Sequence, residues 1–419
     1  MGGVTARGKA CREKASKPWN FMIITTTITS LGHKGEGVAE YDGHKVFTPL
    51  ALPGESVSLD AEGDRGTLVD ILAPSQHRIA PFCKHFGACG GCQLQHMDRP
   101  SYEAFKTELV ETPLRFAGLD ARVERFIDAG GDGRRRATLH ARREGAGYMR
   151  LRSHQVHDLD VCPILVPGLA KAPDIARAVM QVIGESDVSI TATLSGLDVA
   201  IRTEKKQARA DRVAPLVARY RLARLTLNGE MVLQSQPPVV EMGRAKVELP
   251  TGSFMQATAA AEAVLADYVN DAIPKAKLVA DLFCGAGPFA LRLAERFAVH
   301  AYDSDKPAVL ALDKGRRFAK GLREITAKPR DLFREPLTRF ELDAYDAVVL
   351  DPPRAGAQAQ VEQLSMSKVK TIVMVACDAR SFARDAAILA GGGYKLSNLV
   401  AVDQFVHSTH IEIAATFQR

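Results

Sequence analysis

The segment "KLVADLFCGAGPFALRLAERF", at 277–297, decides the fold. Its apolar run predicts a buried β-strand, Gly285 and Gly287 form a turn, and the remainder has the period of an amphipathic helix. Glycines in such a turn let the backbone approach a ligand at the helix N-terminus. Because the turn lacks the G-x-G-x-x-G spacing, a dinucleotide is disfavoured and a shorter adenosyl ligand is favoured.

Strands and helices continue to alternate downstream, which is typical of a doubly wound α/β domain. Four more strands are predicted in "VHAYDSD", "ITAKPRDLF", "YDAVVLDPPRAG" and "VKTIVMVACD", which carry Asp303, Asp331, Asp351 and Cys377 in that order. Asp303 stands where an acidic side chain meets a ribose hydroxyl pair. Ligands bind outside the carboxyl ends of parallel strands, so the side chains expected to line one crevice are Asp281, Asp303, Asp351 and Cys377. From position alone, Cys377 is equally compatible with catalysis and with an inert buried thiol.

Seven cysteines in a chain without a secretion signal argue against a disulfide framework. Cys83, Cys89 and Cys92 have the spacing C-x5-C-x2-C, and Cys162, which precedes a proline, is the best fourth ligand. Four thiolates suit zinc or an iron–sulfur cluster, and the distant Cys-Pro favours iron–sulfur. The alternative is four unrelated buried thiols.

The chain before 251 divides into three predicted parts. Residues 1–21 are basic and without period, which predicts a disordered tail with Met22 as a candidate start. Short glycine-broken β runs over 22–77 predict a small closed barrel that either binds RNA or caps the next domain. The part from 78 to 250 begins with a helical run and becomes β-rich, and 251–419 forms the α/β domain.

The densest basic run, "GRRRATLHARREG", lies in the β-rich part and includes Arg134, Arg135 and Arg136. Such a run could follow a phosphate backbone, or it could be a solvated strand face. RNA contact is the preferred interpretation because of the motifs downstream.

Composition sets wider limits. The 419 residues are 46% hydrophobic and 25% charged, so the chain can form two or three globular domains. The net charge is +6. No apolar stretch approaches the roughly 20 residues of a membrane span. We therefore expect a cytoplasmic protein without a membrane partner. We also expect it to be a monomer.

Six motifs in order carry a family resemblance: "CKHFGACGGCQ" with Cys162, "SFMQ", "DLFCGAG", "DPPRAG", "ACDARSFARD" and "HIEI". From about Ile23 to Arg419 the sequence resembles the S-adenosylmethionine-dependent RNA 5-methyluridine methyltransferases. The resemblance is strongest to the branch that modifies 23S rRNA and carries a TRAM-type barrel and a [4Fe-4S] cluster. It implies an N-terminal barrel, a β-rich central domain and a Rossmann-like methyltransferase domain.

The resemblance also implies site roles. Cys377 would be the nucleophile and Glu412 the general base, although Glu412 could equally be a surface residue of an edge strand. Separately, because a paired base hides C6, the uridine must be unpaired, and Phe254 could stack on it or lie in a core. The cluster ligands would be Cys83, Cys89, Cys92 and Cys162. The methyl-donor site would include Gln256, Asp281, Phe283, Gly285, Gly287, Asp303, Asp331 and Asp351.

One departure from the family pattern concerns the nucleophile. Family members usually have Ser-Cys-Asn-Pro there, whereas this chain has Ala376-Cys377-Asp378-Ala379. A carboxylate at Asp378 would raise the pKa of the Cys377 thiol if it pointed toward the sulfur. The alternatives to a 23S rRNA methyltransferase are a tRNA 5-methyluridine methyltransferase and a catalytically impaired RNA-binding protein.

Overall fold

The structure is a computed structural model that describes residues 22–204 and 210–419. The chain separates into two compact units, one ending at Arg78 and one beginning at Ile79. The predicted tail at 1–21 lies outside the described residues. Among the described helices, none combines the length and apolar character needed to cross a bilayer.

The first unit contains a closed five-stranded barrel, as the sequence predicted. Its strands are β1 (Met22–Leu31), β2 (Gly37–Tyr41), β3 (His44–Thr48), β4 (Ser56–Glu62) and β5 (Arg65–Ala73), paired in the order β1-β2-β3-β5-β4. Alternate side chains point inward, including Ile24, Ile28, Val57 and Leu59, which are all buried. The short apolar alternation therefore closes around one small core.

The second unit begins with helix α1 (Arg99–Phe116) and strand β6 (Arg125–Asp128), followed by a seven-stranded sheet. Two helices and a 3₁₀ turn (Pro167–Leu169) accompany that sheet, whose order is β13-β12-β11-β10-β7-β8-β9. The elements are β7 (Arg136–Arg142), β8 (Gly145–Met149), β9 (Val156–Asp158), α2 (Ala172–Val182), β10 (Ser186–Thr193), β11 (Gly196–Arg202), α3 (Ala210–Tyr220), β12 (Leu222–Leu227) and β13 (Glu230–Gln234).

The C-terminal part is a doubly wound α/β layer preceded by a hairpin of β14 (Val239–Met242) and β15 (Ala245–Glu248). The remaining elements are α4 (Ala259–Ala272), β16 (Leu278–Leu282), α5 (Ala290–Leu293), β17 (Ala298–Asp303), α6 (Lys306–Phe318), β18 (Ile325–Pro329), α7 (Arg339–Leu342), β19 (Ala347–Leu350), α8 (Gln358–Ser365), β20 (Thr371–Ala376), α9 (Ala379–Gly391), β21 (Lys395–Asp403) and β22 (Glu412–Gln418). The large sheet has the order β18-β17-β16-β19-β20-β22-β21-β6.

Strand directions in the large sheet position the site. All of its strands are parallel except β22, which is antiparallel to both β20 and β21. The order reverses between β16 and β19, which is where doubly wound sheets open a ligand crevice. The sequence predicted an amphipathic helix after the glycine turn, and the structure has there the four-residue helix α5.

Two elements from the predicted central segment belong to this layer. Strand β6 pairs in parallel with β21, and helix α1 packs against α9 and β21. The central segment therefore contributes the outermost strand of the large sheet and a helix that packs on it.

Candidate active site at the sheet edge

The carboxyl ends of the parallel strands carry most of the predicted site residues. Asp303 ends β17, while Asp351 and Cys377 directly follow β19 and β20. Glu412 opens the antiparallel strand β22, so it lies at the same edge. The structure places Glu412 on a buried central strand, not on the exposed edge strand that the sequence left open.

The glycine turn after β16 has an open side. Phe283, Gly285 and Gly287 have φ values of 64°, 52° and 95°. The Gly285 N–H donates to Asp303 Oδ2 at 2.8 Å. A Cβ on Gly285 would meet nothing within 4 Å, whereas one on Gly287 would lie 2.6 Å from Leu312 Cδ1. Gly287 therefore serves packing, and Gly285 leaves room for a ligand.

The turn after β18 approaches the same loop. Asp331 Oδ1 accepts hydrogen bonds from the N–H groups of Phe333 at 3.0 Å and Arg334 at 3.3 Å. The Phe333 ring lies 5.4 Å from the Phe283 ring, measured between centroids. Asp331 thus shapes a turn whose aromatic side chain contacts the glycine turn.

Buried carboxylates accumulate beside that opening. Burial raises the pKa of Asp281 well above its usual range, and the nearby Asp351 raises it further. Burial also raises the pKa of Asp351 to about 7, with Asp303 as the second cause. Burial and mutual repulsion therefore disfavour the ionised forms of these carboxyl groups, and a bound cation would stabilise them, so this edge is suited to a cationic ligand.

Two glutamines link this carboxylate group to Glu412. Gln404 follows β21 and donates from Nε2 to Gln256 Oε1 at 2.7 Å. The Nε2 of Gln256 then donates to Asp351 Oδ2 at 3.4 Å. Gln404 also donates toward Glu412 and lowers its pKa. The amides therefore form a buried connection between Asp351 and Glu412.

The thiol and the glutamate influence each other's ionisation. Burial raises the pKa of Cys377 to about 11, Glu412 and Asp351 raise it too, and Arg354 opposes them. Burial likewise raises the pKa of Glu412 to about 8, again with Asp351 adding to the shift. A cysteine, a proton acceptor near neutrality and a guanidinium are thus close together.

Asp378 faces away from this group. Its Oδ1 accepts hydrogen bonds from the N–H of Ser381 at 2.9 Å and of Arg380 at 3.1 Å, so it caps helix α9. The carboxylate would raise the pKa of the Cys377 thiol only if it pointed toward the sulfur, and it is bonded to the helix backbone instead. Asp and Asn are comparable N-cap residues.

A buried ion pair anchors the loop between β21 and β22. Lys106 of α1 forms a salt bridge with Asp403, and both side chains are fully buried. Lys106 Nζ also donates to the carbonyls of Phe405 at 3.2 Å and His410 at 2.8 Å. The Tyr102 hydroxyl donates to Asp403 Oδ2 at 2.5 Å. Helix α1 thereby fixes the loop that leads into Glu412.

The arginine run makes contacts within the protein. Arg135 donates from Nε to the Gln256 carbonyl at 3.0 Å and pairs with Glu262. Arg136 donates to the Ser253 carbonyl at 3.2 Å, and Arg134 stacks 5.6 Å from the Phe405 ring centroid. The first two therefore support the segment that carries Gln256.

Phe254 and Arg136 were both predicted to contact RNA. Phe254 is 67% exposed, which removes the alternative that it lies in a core. Arg136 lines an open groove together with Arg202. RNA contact by either residue stays a prediction.

The four predicted ligand cysteines lie together elsewhere in the second unit. They line one small cavity, here called the thiol cavity: Cys83, Cys89, Cys92 and Cys162. Burial raises the pKa values of the last three, and mutual repulsion among the thiolates adds to the effect. Within 22–204 and 210–419, no group of three or more His, Cys, Asp or Glu side chains is arranged to hold a metal ion.

Sequence reasoning missed Gln404, Lys106 and Asp403. The strand-end rule that found Cys377 also applies to β21, since Asp403 ends that strand and Gln404 follows it. A polar pair directly after the apolar run "NLVAV" was the available signal. Lys106 gave none, because its place in α1 does not reveal the partner on a distant strand.

Comparisons with known proteins agree with this architecture. The tRNA (uracil-5-)-methyltransferase family model matches residues 198–419. An RNA methyltransferase of Agrobacterium fabrum is 40% identical over 412 residues, covering 94% of this chain and 99% of the relative. The 23S rRNA (uracil(1939)-C(5))-methyltransferase RlmD of Shewanella sediminis is 29% identical, covering 94% of this chain and 96% of that protein.

A solved structure has the same fold. The tRNA (uracil-54, C5)-methyltransferase of Pyrococcus abyssi, in complex with S-adenosyl-L-homocysteine, superposes with a TM-score of 0.75 at 20% identity. The match covers 94% of this chain and 99% of the archaeal chain. Since the family model matches more than half of the sequence and close relatives match almost all of it, this chain belongs to the tRNA (uracil-5-)-methyltransferase family.

Proposed function

We propose that this chain transfers a methyl group from S-adenosylmethionine to C5 of a specific uridine in RNA. The observation that carries the proposal is the meeting of Cys377 and Glu412 at one sheet edge, beside a glycine turn with an open side. Family membership supports the reaction class. Orientation of Asp378 toward α9 favours an active enzyme over an impaired RNA-binding protein.

The methyl-donor site is proposed at the glycine turn. S-adenosylmethionine carries a positively charged sulfonium that supplies an electrophilic methyl group. The buried carboxylates with raised pKa values suit such a cation, and the open side of Gly285 suits its close approach. The residues proposed to hold it are Gln256, Asp281, Phe283, Gly285, Gly287, Asp303, Asp331 and Asp351.

Cys377 is proposed as the nucleophile that adds to C6 of the uracil. This addition is needed because C5 alone is too poor a nucleophile to accept the methyl group. When the sulfur bonds to C6, the electron pair of the C5–C6 double bond moves toward C5 and the neighbouring carbonyl. C5 can then take the methyl group. With the pKa of the free thiol near 11, loss of the thiol proton to solvent must accompany this attack, which leaves the carboxylate of Glu412 free to accept the C5 proton later.

Glu412 is proposed as the general base of the last step. After methylation C5 still carries its original proton. The Glu412 carboxylate removes that proton as the C6–sulfur bond breaks. The electron pair of the C5–H bond restores the double bond, and Cys377 leaves as a thiolate. A pKa of about 8 keeps Glu412 able both to accept and to release a proton near neutrality.

Access to C6 requires an unpaired base. A uridine within a helix must be flipped out, or taken from a loop, before a thiol can reach it. We propose that exposed Phe254, three residues before Ala257, stacks on that base. The barrel at 22–77 and Arg136 are proposed to contact RNA outside the crevice.

The thiol cavity is proposed to hold a [4Fe-4S] cluster. Four thiolates are the donor set of such clusters. The four cysteines line one shared cavity, and the distant Cys162 precedes a proline, as the last ligand does in such clusters. When bound, the cluster would cross-link Cys162 to the loop of the other three cysteines.

The proposed RNA is 23S rRNA. The full-length relation to an RlmD protein supports it, whereas the description of the family model favours tRNA as the second candidate. Mapping 5-methyluridine in both RNAs from a deletion strain tests the two. We expect one 23S position to lose its methyl group and to regain it on complementation. Loss confined to tRNA would support the second candidate, and no loss in either RNA would contradict the proposal.

A further inference from the structure

We propose that Gln404 is a positioning residue for the reaction: its amide fixes the orientation of Gln256 and supports the carboxylate of Glu412. The inference rests on the roles proposed above for those two residues. Gln404 is not among the residues proposed above to bind the methyl donor or to carry out the reaction. We call it a positioning residue because it acts through Gln256 and Glu412.

The first step of the argument is that the orientation of the Gln404 amide is set. Its Oε1 accepts a hydrogen bond from the backbone N–H of Ala257 at 2.6 Å. A backbone N–H can only donate, so the oxygen must face Ala257 and the NH₂ group must face the site. Gln404 is 0% exposed, so water does not compete for these bonds.

This orientation determines that of Gln256. Nε2 of Gln404 donates to Gln256 Oε1 at 2.7 Å, which turns the NH₂ group of Gln256 toward Asp351 Oδ2 at 3.4 Å. A flipped Gln256 would bring its oxygen against a carboxylate oxygen and two NH₂ groups together. Gln404 therefore keeps a hydrogen-bond donor of Gln256 at the carboxyl edge of the sheet.

Gln404 also lies near Glu412, because Val402, two residues earlier on the chain, pairs with Glu412 across β21 and β22. Gln404 donates toward Glu412 and lowers its pKa, which opposes the larger effect of burial and that of Asp351. The other charged or titratable groups that face Glu412 are Arg354, which also lowers its pKa, and Cys377. Removing the amide should therefore raise the pKa of Glu412 further.

The chain offers a matched control for the test. Gln360 is also 0% exposed, and its amide also bonds to backbone, accepting from Leu337 N–H at 2.8 Å and donating to the Leu337 carbonyl at 3.0 Å. It lies in α8, which carries none of the residues proposed for the site. Gln404→Met and Gln360→Met remove the same amide from equally buried positions.

The experiment measures single-turnover release of free methylated RNA, formed from S-adenosylmethionine and total RNA of a deletion strain, between pH 6 and 9. We expect Gln404→Met to slow this release about 10- to 100-fold at pH 7. A base acts only when deprotonated, so a raised pKa should move the acid limb of the rate profile upward by about half to one pH unit. Gln360→Met should leave the position of that limb unchanged.

Several results would overturn the inference. They are a Gln404→Met enzyme with the wild-type rate and profile, or equal slowing by both variants without a shift of the limb. If Gln404→Met fails to fold, Gln404→Asn gives the same readout, because its shorter amide cannot span Ala257, Gln256 and Glu412. A Glu412→Gln enzyme that turns over freely would instead refute the proposed base, which separates the two failures.

Discussion

Asp378 and Ser381 form a hydrogen bond that decides how the departure beside the nucleophile should be judged. The Ser381 N–H donates to Asp378 Oδ1 at 2.9 Å, so this carboxylate belongs to the helix cap. Asp378→Asn should therefore keep activity within about twofold, since Asn caps equally well. Asp378→Ala should lower the free energy of unfolding by about 1 kcal/mol.

Steady-state methylation and urea unfolding of the two variants check this prediction. A several-fold gain in activity for Asp378→Asn would show that the carboxylate does act on Cys377.

The two glycines of the turn should fail in different ways. Gly287→Ala places a methyl group against Leu312 and should destabilise the protein. Gly285→Ala meets no atom but adopts a positive φ, so it should cost about 1–2 kcal/mol in backbone strain and weaken binding of S-adenosylmethionine. Calorimetric titration and thermal melting of both variants distinguish the outcomes. Unchanged donor affinity in Gly285→Ala would remove this turn from the proposed donor site.

The buried ion pair under the loop should be costly to break. Lys106→Met leaves the Asp403 carboxylate buried without its cation, which should lower the free energy of unfolding by about 3–5 kcal/mol. The control is Lys314→Met, whose exposed pair with Glu248 should contribute less than about 1 kcal/mol. Denaturant unfolding at pH 7 measures both. Equal losses would show that Lys106 does not stabilise the loop before Glu412.

Iron content tests the thiol cavity. Protein purified without oxygen should be brown, absorb broadly in the visible and contain about four irons per chain. Cys89→Ser should lose most of the iron, whereas Cys284→Ala, which changes a buried cysteine outside the cavity, should retain it. A colourless protein with one zinc per chain would contradict the cluster.

Strand ends were predictable from the sequence because apolar runs mark strands and parallel strands end at one edge. That rule located Asp303, Asp351 and Cys377. Glu412 required the direction of β22, which a short apolar run does not reveal. Because β22 runs antiparallel between β20 and β21, its first residue, Glu412, lies at the same edge as their last residues.

The arginine run illustrates what a charge pattern leaves open. Three consecutive cations favour RNA contact, but the sequence cannot tell that Arg135 meets the buried Glu262 across more than a hundred residues. Gln404 was missed for a related reason. An amide has no preferred partner, so only the fold shows that it lies between Gln256 and Glu412.

The central claim is that Cys377 attacks the uridine and Glu412 releases it. Glu412→Gln should still permit sulfur addition and methylation but not removal of the C5 proton, so methylated RNA should stay bonded to Cys377. The measurement is a denaturing gel of Glu412→Gln incubated with S-adenosylmethionine and RNA from a deletion strain. A radiolabelled methyl group in a retarded protein band, absent from the double variant with Cys377→Ala, is the predicted result. Free turnover by Glu412→Gln without a retarded band, or methylation by Cys377→Ala, would contradict the claim.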